Sequence, residues 1–464
     1  MRIVVCVRQG LDGEISPFDA CAYEAALRMD GAEITLLSMG PASAGDLLLK
    51  LTRLGASGAI LLSDRAFAGA DTLATAYALS LAIKKLSPDL VLCGRQTLVG
   101  DTSQTGPMLS ELAGLSLITN VMSIDKAENG KISCTTRNEG VAEVTLPALL
   151  TVERINSLRL PRLRSKLGEL AVWSAEELGA DVSRCGLYGS PTRVVKTFEN
   201  QTGKRKCKFI TKDELPSVIE GALKKSESVL DSNSGEEKEK LPDICIVGKG
   251  PYGFARTVSD NVVEIPLTDA NEISERIKEL SPSAVLWGSD TRSKRLAAIV
   301  AARMGLGLCA DCTLLEAECE TLMMYRPALS GSIIAKIKST TRPAMATVRT
   351  ESESACRVVV AAGFGVKDKM DEVRAFAKSL GAELCSSRKL VDNGYMTYET
   401  QVGLTGKTIS PPVYIAIGIS GAVHHIAGMQ KSATVIAINP DKNATIFEYA
   451  DYGIIDNFKG ENYV

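Results

Sequence analysis

The chain has 464 residues, 45% hydrophobic and 23% charged, with a formal net charge of −2. These values fit a globular chain of about three domains and exclude a disordered one. A near-neutral balance gives no reason to expect nucleic acid or an anionic membrane as partner, and no stretch reaches the about 18 apolar residues of a spanning helix.

In MRIVVCVRQG the apolar run breaks at Arg8, too early for a signal segment, so a cytoplasmic location is expected. The run itself predicts a buried strand. Ser16-Pro17 then predicts an N-cap and a first-turn proline, with Phe18, Ala22, Ala25 and Met29 along one helical face. AEITLLS and GAILLSD read as strands, Asp71 to Ala82 as a second helix, and SPDLVLCG at 87–94 as another buried strand. Strands alternating with helical stretches imply an α/β chain whose parallel sheet is covered by helices on both faces.

The pattern then repeats. SPDLVLCG at 87 is echoed by SPSAVLWG at 281, AGLSLITN at 113 by MGLGLCAD at 304, and LPALLTVER at 146 by RPAMATVRT at 342. Two related α/β domains in tandem are expected, with DICIVG at 243 opening the second. The interval from Gly94 to Gly114 is longer than that from Gly288 to Gly305, because only the first copy carries GDTSQTGP. Between the copies, 211–227 reads as a helix with Thr211 and Glu214 as a capping box. Residues 228–240 lack apolar periodicity and read as a solvated tether. A third unit begins near Glu351: RVVVAAGFG, AELCSSR, PVYIAIG and ATVIAIN are strands, and Met370, Val373, Ala377 and Leu380 form a helical stripe closed by Gly381. The expected organisation is therefore residues 1–195, a helical arm and linker at 196–240, a second copy at 241–350, and a third unit at 351–464.

Twelve cysteines are scattered from Cys6 to Cys385. The single Cys-x-x-Cys, Cys309 to Cys312, has no second pair, so reduced structural thiols are expected and no metal site.

In the third unit, polar and glycine residues collect where strands end: Gly363 and Gly365, Ser387 and Arg388, Gly418 with Ser420 and Gly421, and Asn439. Open parallel sheets bind ligands at those ends, and GISGA ahead of a helical stretch suits phosphate. Both histidines of the chain, His424 and His425, follow directly.

QVGLTGK, YIAIGISGAVHHIAGM, VIAIN and ADYGI together resemble the flavin domain of the electron transfer flavoprotein α-subunit. PFDACAYEAALR, GDTSQTGP and LPALLTVERIN resemble its β-subunit, and 241–350 resembles the amino-terminal domain of the α-subunit. The chain thus resembles a β–α fusion, equivalent to a heterodimer. The resemblance implies three parallel-sheet units, Rossmann-like or of the adenine-nucleotide alpha-hydrolase-like kind, the last a flavodoxin/Rossmann-like FAD domain.

For FAD the resemblance implies Arg388 beside the isoalloxazine, with Ser387 next to it. Gln401, Val402, Gly403, Thr405 and Gly406 run along the flavin. Gly418, Ser420, Gly421 and Ala422 serve the pyrophosphate and ribityl region, with Gly363 and Gly365 close by. His425 lies near O2, Asn439 on the adenosine side, and Asp456 or Asn457 at the far end. A guanidinium and an imidazole donor would favour the half-reduced, anionic flavin that one-electron transfer requires. His424 stands where the family commonly has Gln. Two further departures are Phe364, where the family usually has Arg, and Leu404, where it usually has Gln.

The resemblance also implies a second nucleotide on Gly100, Asp101, Thr102, Ser103, Gln104 and Thr105: AMP by first choice, a second FAD by the next, or none. The segment Arg8 to Ser16 is shorter than the family's cover for that site. NSLRLPRLRSK at 156–166 resembles the partner-docking loop, with Leu160 as anchor, Leu163 following, and Arg159, Arg162 and Arg164 as steering charge. The expected function is an electron carrier, shuttling via FAD from a flavin dehydrogenase of the acyl-CoA dehydrogenase type to a separate acceptor by a swivelling flavin domain. As a carrier it transforms no substrate of its own. It would count as an oxidoreductase on the second reading, a bifurcating protein that oxidises NADH with two FAD. A third reading is a nucleotide-binding protein without redox function.

Overall fold

The computed structural model describes all residues except 11, 98–99, 154–155, 163, 200–203, 229–238, 249, 330–332, 350–355, 404–405, 461–462 and 464. Most of the expected tether lies outside the described residues. The chain forms two compact units: Met1–Phe198, Lys238–Leu329 and Ile333–Arg349 make the first, and the remainder makes the second.

The first copy runs β1 (Arg2–Cys6), α1 (Pro17–Leu27), β2 (Glu33–Met39), α2 (Ala44–Thr52), β3 (Gly58–Leu62), α3 (Thr72–Leu86), β4 (Leu90–Gly94), α4 (Thr105–Ala113), β5 (Ser116–Glu128), β6 (Lys131–Thr136), β7 (Gly140–Thr145), β8 (Ala148–Val152) and β9 (Glu169–Trp173). They form one sheet in the order β7-β6-β5-β8-β4-β1-β2-β3-β9. Helix α2 corrects the reading of two successive strands after α1. Parallel β2 and β3 need a crossover, and Leu47, Leu48 and Leu51 give it one buried face. The sheet is also not purely parallel, because β5, β6 and β7 pair antiparallel. The β5–β6 turn is Asn129-Gly130, both at positive φ, the geometry that Asn-Gly favours in a hairpin. Asp71 caps α3 as expected, accepting from Leu73 N at 3.0 Å and Ala74 N at 3.1 Å. Ser16 does not cap α1 with its side chain. Its hydroxyl is buried without a hydrogen-bond partner among the described residues, and Pro17 alone presets the first turn.

Strand β10 (Thr192–Glu199) leads to β11 (Lys208–Phe209) and α5 (Leu215–Ser228). The capping box holds: Thr211 N donates to Glu214 Oε2 at 2.7 Å. The second copy follows as β12 (Ile244–Val247), α6 (Tyr252–Val258), β13 (Val262–Ile265), α7 (Ala270–Leu280), β14 (Ala284–Trp287), α8 (Thr291–Met304), β15 (Leu308–Cys312), β16 (Leu314–Glu318), β17 (Thr321–Ala328), β18 (Ile333–Ser339) and β19 (Ala344–Val348). Its parallel sheet runs β13-β12-β14-β19-β15, and β10-β18-β17-β16 form a separate sheet.

The echoes are matched in backbone conformation at paired positions. Ser87 and Ser281 end α3 and α7 in the left-handed conformation, and Gly114 and Gly305 do the same for α4 and α8. Asn120 and Asp311 both have positive φ, and each donates its backbone N–H to a threonine hydroxyl, Thr151 at 3.1 Å and Thr347 at 2.8 Å. The charges beside them are exchanged: Glu153 pairs with Arg95 at 2.6 Å in the first copy, and Arg349 with Asp311 at 3.7 Å in the second. Asp290 caps α8 almost directly after β14. In the first copy the segment from Arg95 to Gln104 takes that place before α4, with Gln96, Asp101 and Gln104 buried.

The second unit holds β20 (Val358–Ala362), α9 (Met370–Ser379), β21 (Glu383–Ser386), α10 (Arg388–Asp392), β22 (Val413–Ile417), α11 (Val423–Met429), β23 (Thr434–Ile438) and β24 (Tyr452–Ile454). With β11 they make a parallel sheet in the order β11-β24-β23-β22-β20-β21. The strand order therefore reverses between β20 and β22. The arm is built into this unit: Leu215 and Ile219 of α5 are buried in the same core as Val360, Ile415 and Ile436. Arg205 binds the Asp451 carboxylate and the carbonyls of Ser432 and Gln430.

Candidate functional site

Among the described residues, most of the predicted flavin residues gather beyond the carboxyl ends of β20, β21, β22 and β23, with Asp456 and Asn457 past β24. At the reversal point the backbones of two loops touch. A β-carbon on Gly363 would lie 2.0 Å from the Gly418 carbonyl oxygen, and Gly363 N donates to Ile417 O at 2.7 Å. Gly365 N donates to Gly418 O at 3.2 Å. Gly421, at φ +92°, presses against Ile446, whose N–H reaches Ser420 O at 3.1 Å. Glycine is thus required here by close approach as well as by φ. Ser420 and Ala422 stay exposed on the same loop.

The loop from Gln401 to Lys407 is clamped on both sides. Val402 N donates to Ser386 O at 2.9 Å, and Lys407 N to Gln401 O at 2.7 Å. On its other side Gly403 faces α11, where a β-carbon on Gly428 would come within 2.3 Å of Gly403 N. A β-carbon on Gly406 would meet Gln401 O at 2.2 Å. Val402 itself is buried in the core, so only its backbone serves the loop. Thr405 and Leu404 lie outside the described residues.

Arg388 opens α10, with Nε donating to Asp392 Oδ2 at 3.0 Å, and Ser387 is the N-cap. The Ser387 hydroxyl is buried with no hydrogen-bond partner among the described residues. His425 is 5% exposed, and its Nε2 lies 2.8 Å from the hydroxyl of Tyr414 in β22. Its Nδ1 is also buried and bonds no side chain among the described residues. Burial lowers the imidazole pKa to about 4, which the backbone of Val402 opposes only in part, so the ring is neutral at physiological pH. Asn439 is buried and braces the glycine loop: its amide donates to Ile419 O at 2.8 Å and accepts from Asp441 N at 2.9 Å. Asp456 and Asn457 sit past β24, bonded to Tyr463 and Lys369 at 2.9 and 2.8 Å. Phe364 does not leave its surroundings without cations, since Lys389 Nζ lies 4.2 Å and Lys367 Nζ 5.2 Å from its ring centre.

These residues fit a flavin dinucleotide. Glycine-only backbone leaves room for a phosphate chain to approach, and the buried Ser387 hydroxyl and His425 Nδ1 are polar atoms that ring heteroatoms could meet. FAD bound there would supply the redox chemistry. The protein would supply Arg388 as fixed charge, Ser387 and His425 as partners, and the clamped backbone of Gln401 to Gly403 as a wall.

In the first unit, Gly100, Thr102, Ser103, Gln104 and Thr105 line a cavity of about 1050 Å³. Asp101 does not line it. At φ +52° its carboxylate turns inward to accept from Gln96 Nε2 at 2.6 Å, which fixes the loop. Sequence reasoning missed Arg326 and Asp19, both on the cavity wall. Arg326 donates to Asp101 O at 3.1 Å, and an arginine at an inward position of β17 was the available signal. Asp19 accepts from Arg8 N and Gly94 N, both at 2.9 Å, and burial pushes its carboxyl up to about 7 against those donors. Gly94 allows this, since a β-carbon there would lie 2.5 Å from Asp19 Oδ1.

On the expected docking loop Leu160 is 87% exposed, and Leu163 lies outside the described residues. Arg159 is not a free steering charge. It grips Glu24 through Nε at 3.0 Å and Nη2 at 2.9 Å, because Glu24 is a buried carboxylate in need of a partner. Cys309 and Cys312 are buried thiols, and among the described residues no cluster could hold a metal ion. Among the described residues no helix is long and apolar enough to cross a membrane.

A family model described as the electron transfer flavoprotein domain matches residues 3–178 and 255–375, and one described as the electron transfer flavoprotein FAD-binding domain matches residues 354–430. A Protein FixA of Azorhizobium caulinodans is 41% identical over 223 residues, covering 44% of this chain and 79% of the relative. An electron transfer flavoprotein subunit beta of Megasphaera elsdenii is 42% identical over 211 residues, 41% of this chain and 78% of the relative. An electron transfer flavoprotein subunit alpha of Thermoanaerobacterium thermosaccharolyticum is 36% identical over 237 residues, 41% of this chain and 72% of the relative.

Proposed function

The chain belongs to the electron transfer flavoprotein family as a β–α fusion, and from that premise we propose that it is a single-chain cytoplasmic carrier taking electrons from a flavin dehydrogenase and delivering them to a separate acceptor. The observation that carries this reading is the convergence of Gly363, Ser387, Gly418 and His425 on the carboxyl ends of one parallel sheet, inside or beside the FAD-binding match. Ser387, Arg388, Gln401, Gly403, Thr405, Gly406, Ser420, Gly421, Ala422 and His425 contact the flavin and its phosphates. Asn439, Asp456 and Asn457 serve the adenosine end. Leu160 is the docking anchor for the dehydrogenase, as its exposure favours.

The cavity of the first unit takes AMP, held by Gly100 to Thr105 with Arg326 beside them. A cavity of about 1050 Å³ also favours a second reading in which a dinucleotide, a second FAD, fills it and the protein oxidises NADH. Absorbance during stepwise reduction of the purified protein, with its nucleotides extracted and counted, separates the two. One FAD and one AMP per chain, with no bleaching by NADH, supports the carrier. Two FAD with bleaching by NADH supports the second reading, and a protein that takes up no FAD refutes both.

A further inference from the structure

Strand β22 is a fully buried central strand, and Tyr414 is its one residue with a polar side chain. A phenol hydroxyl in such a place needs a partner. The partner is His425 Nε2 of α11 at 2.8 Å, with the two ring centres 6.3 Å apart. Burial raises the tyrosine pKa well above its ordinary value and lowers that of the histidine to about 4. Both groups are therefore neutral, and the contact holds one proton. A phenol carries a single O–H and a neutral imidazole a single N–H. If Nε2 carried the imidazole proton, the phenol would need another acceptor for its own, and Nδ1 would be a buried bare acceptor. If the phenol donates, Nε2 is satisfied and the imidazole proton sits on Nδ1. The Val402 backbone favours a proton on this ring, which agrees with the second arrangement. Nδ1 is itself buried, and among the described residues the Val402 backbone is the one group of the protein that bonds the ring besides Tyr414.

We propose that Tyr414 is a positioning residue: by donating to Nε2, on a ring whose other side bonds the Val402 backbone, it fixes His425 as the Nδ1–H tautomer, so that a buried, neutral N–H shared with that backbone is the group this histidine turns to the cofactor. The inference rests on the flavin reading only for what Nδ1–H meets. The tautomer itself belongs to the protein. The arrangement gives a donor that does not change charge between pH 5.5 and 8, so electrostatic support for the reduced ring stays constant over that range.

The test uses the full chain labelled with 15N-histidine, with and without FAD. Only His424 and His425 contribute ring signals, and H424Q assigns them. The expected result is Nδ1 protonated and Nε2 bare on His425 at both pH 5.5 and pH 8. In Tyr414→Phe, which keeps the ring, a population with Nε2 protonated is expected, with FAD bound about 3- to 10-fold more weakly. A wild-type His425 protonated on Nε2, or a Tyr414→Phe protein with an unchanged tautomer, overturns the proposal. If Tyr414→Phe does not fold, the wild-type tautomer alone decides. FAD that binds without shifting the His425 signals refutes this histidine's place at the flavin, while the tautomer result still decides the role of Tyr414.

Discussion

Gly363 and Gly418, the residues just after strands β20 and β22, approach so closely that a β-carbon on the first would lie 2.0 Å from the carbonyl oxygen of the second. The contact lies where the strand order reverses, the place at which an open parallel sheet leaves a crevice.

Gly363→Ala should therefore destabilise the second unit by about 2 kcal/mol and weaken FAD binding, because backbone rather than a movable side chain is in the way. Gly221→Ala is the control: it lies in α5 with nothing within 4 Å of its added carbon, and it should stabilise by up to about 1 kcal/mol. Denaturant unfolding and FAD titration of both variants check this.

Ser387→Ala removes a buried hydroxyl that has no hydrogen-bond partner among the described residues. The FAD-free protein should be as stable as the wild type or slightly more so, while FAD dissociates about tenfold more readily. Equal loss of stability and of affinity would assign the hydroxyl to the fold instead.

Two buried groups should give stability opposite slopes against pH. Asp19 is raised from an ordinary 3.8 to about 7. The folded state keeps its proton longer than the unfolded chain, so this contribution is lost as pH rises from about 4 to 7. His425 is lowered from 6.5 to about 4. The unfolded chain gains the proton first, so its contribution is lost as pH falls from about 6.5 to 4. Each effect is at most about 1.4 kcal/mol per pH unit. Urea unfolding of Asp19→Asn and His425→Asn across this range should flatten one slope each.

Leu160→Ala should leave stability and FAD content unchanged, since the side chain is 87% exposed. It should slow reduction by the dehydrogenase about tenfold or more, the effect of losing an interface anchor. Arg159→Ala should act through the loop's tie to Glu24, whose pKa the Arg159 and Arg28 hydrogen bonds bring down to about 2 in spite of burial. Stopped-flow reduction distinguishes the two variants.

Much of this was legible because it depends on local chemistry. The tandem echoes predicted two related α/β copies, and the strand-end glycines predicted the crevice. Helix α2 was not read because AGDLLLKLT offers only two turns and no capping side chain. The hairpin β5–β6 was missed although Asn129-Gly130 signals it. Arg326 and Tyr414 were hidden for a different reason. An arginine that lines a cavity from a distant strand, and a tyrosine inside an apolar run, take their roles from partners far along the chain.

The most direct measurement is the FAD dissociation constant of the protein carrying both Arg388→Ala and His425→Asn. Each change removes a buried or charge-bearing hydrogen-bond partner, so the double variant should bind FAD about 100-fold more weakly than the wild type while unit two remains folded. An unchanged dissociation constant would contradict the assignment of the flavin to these strand ends.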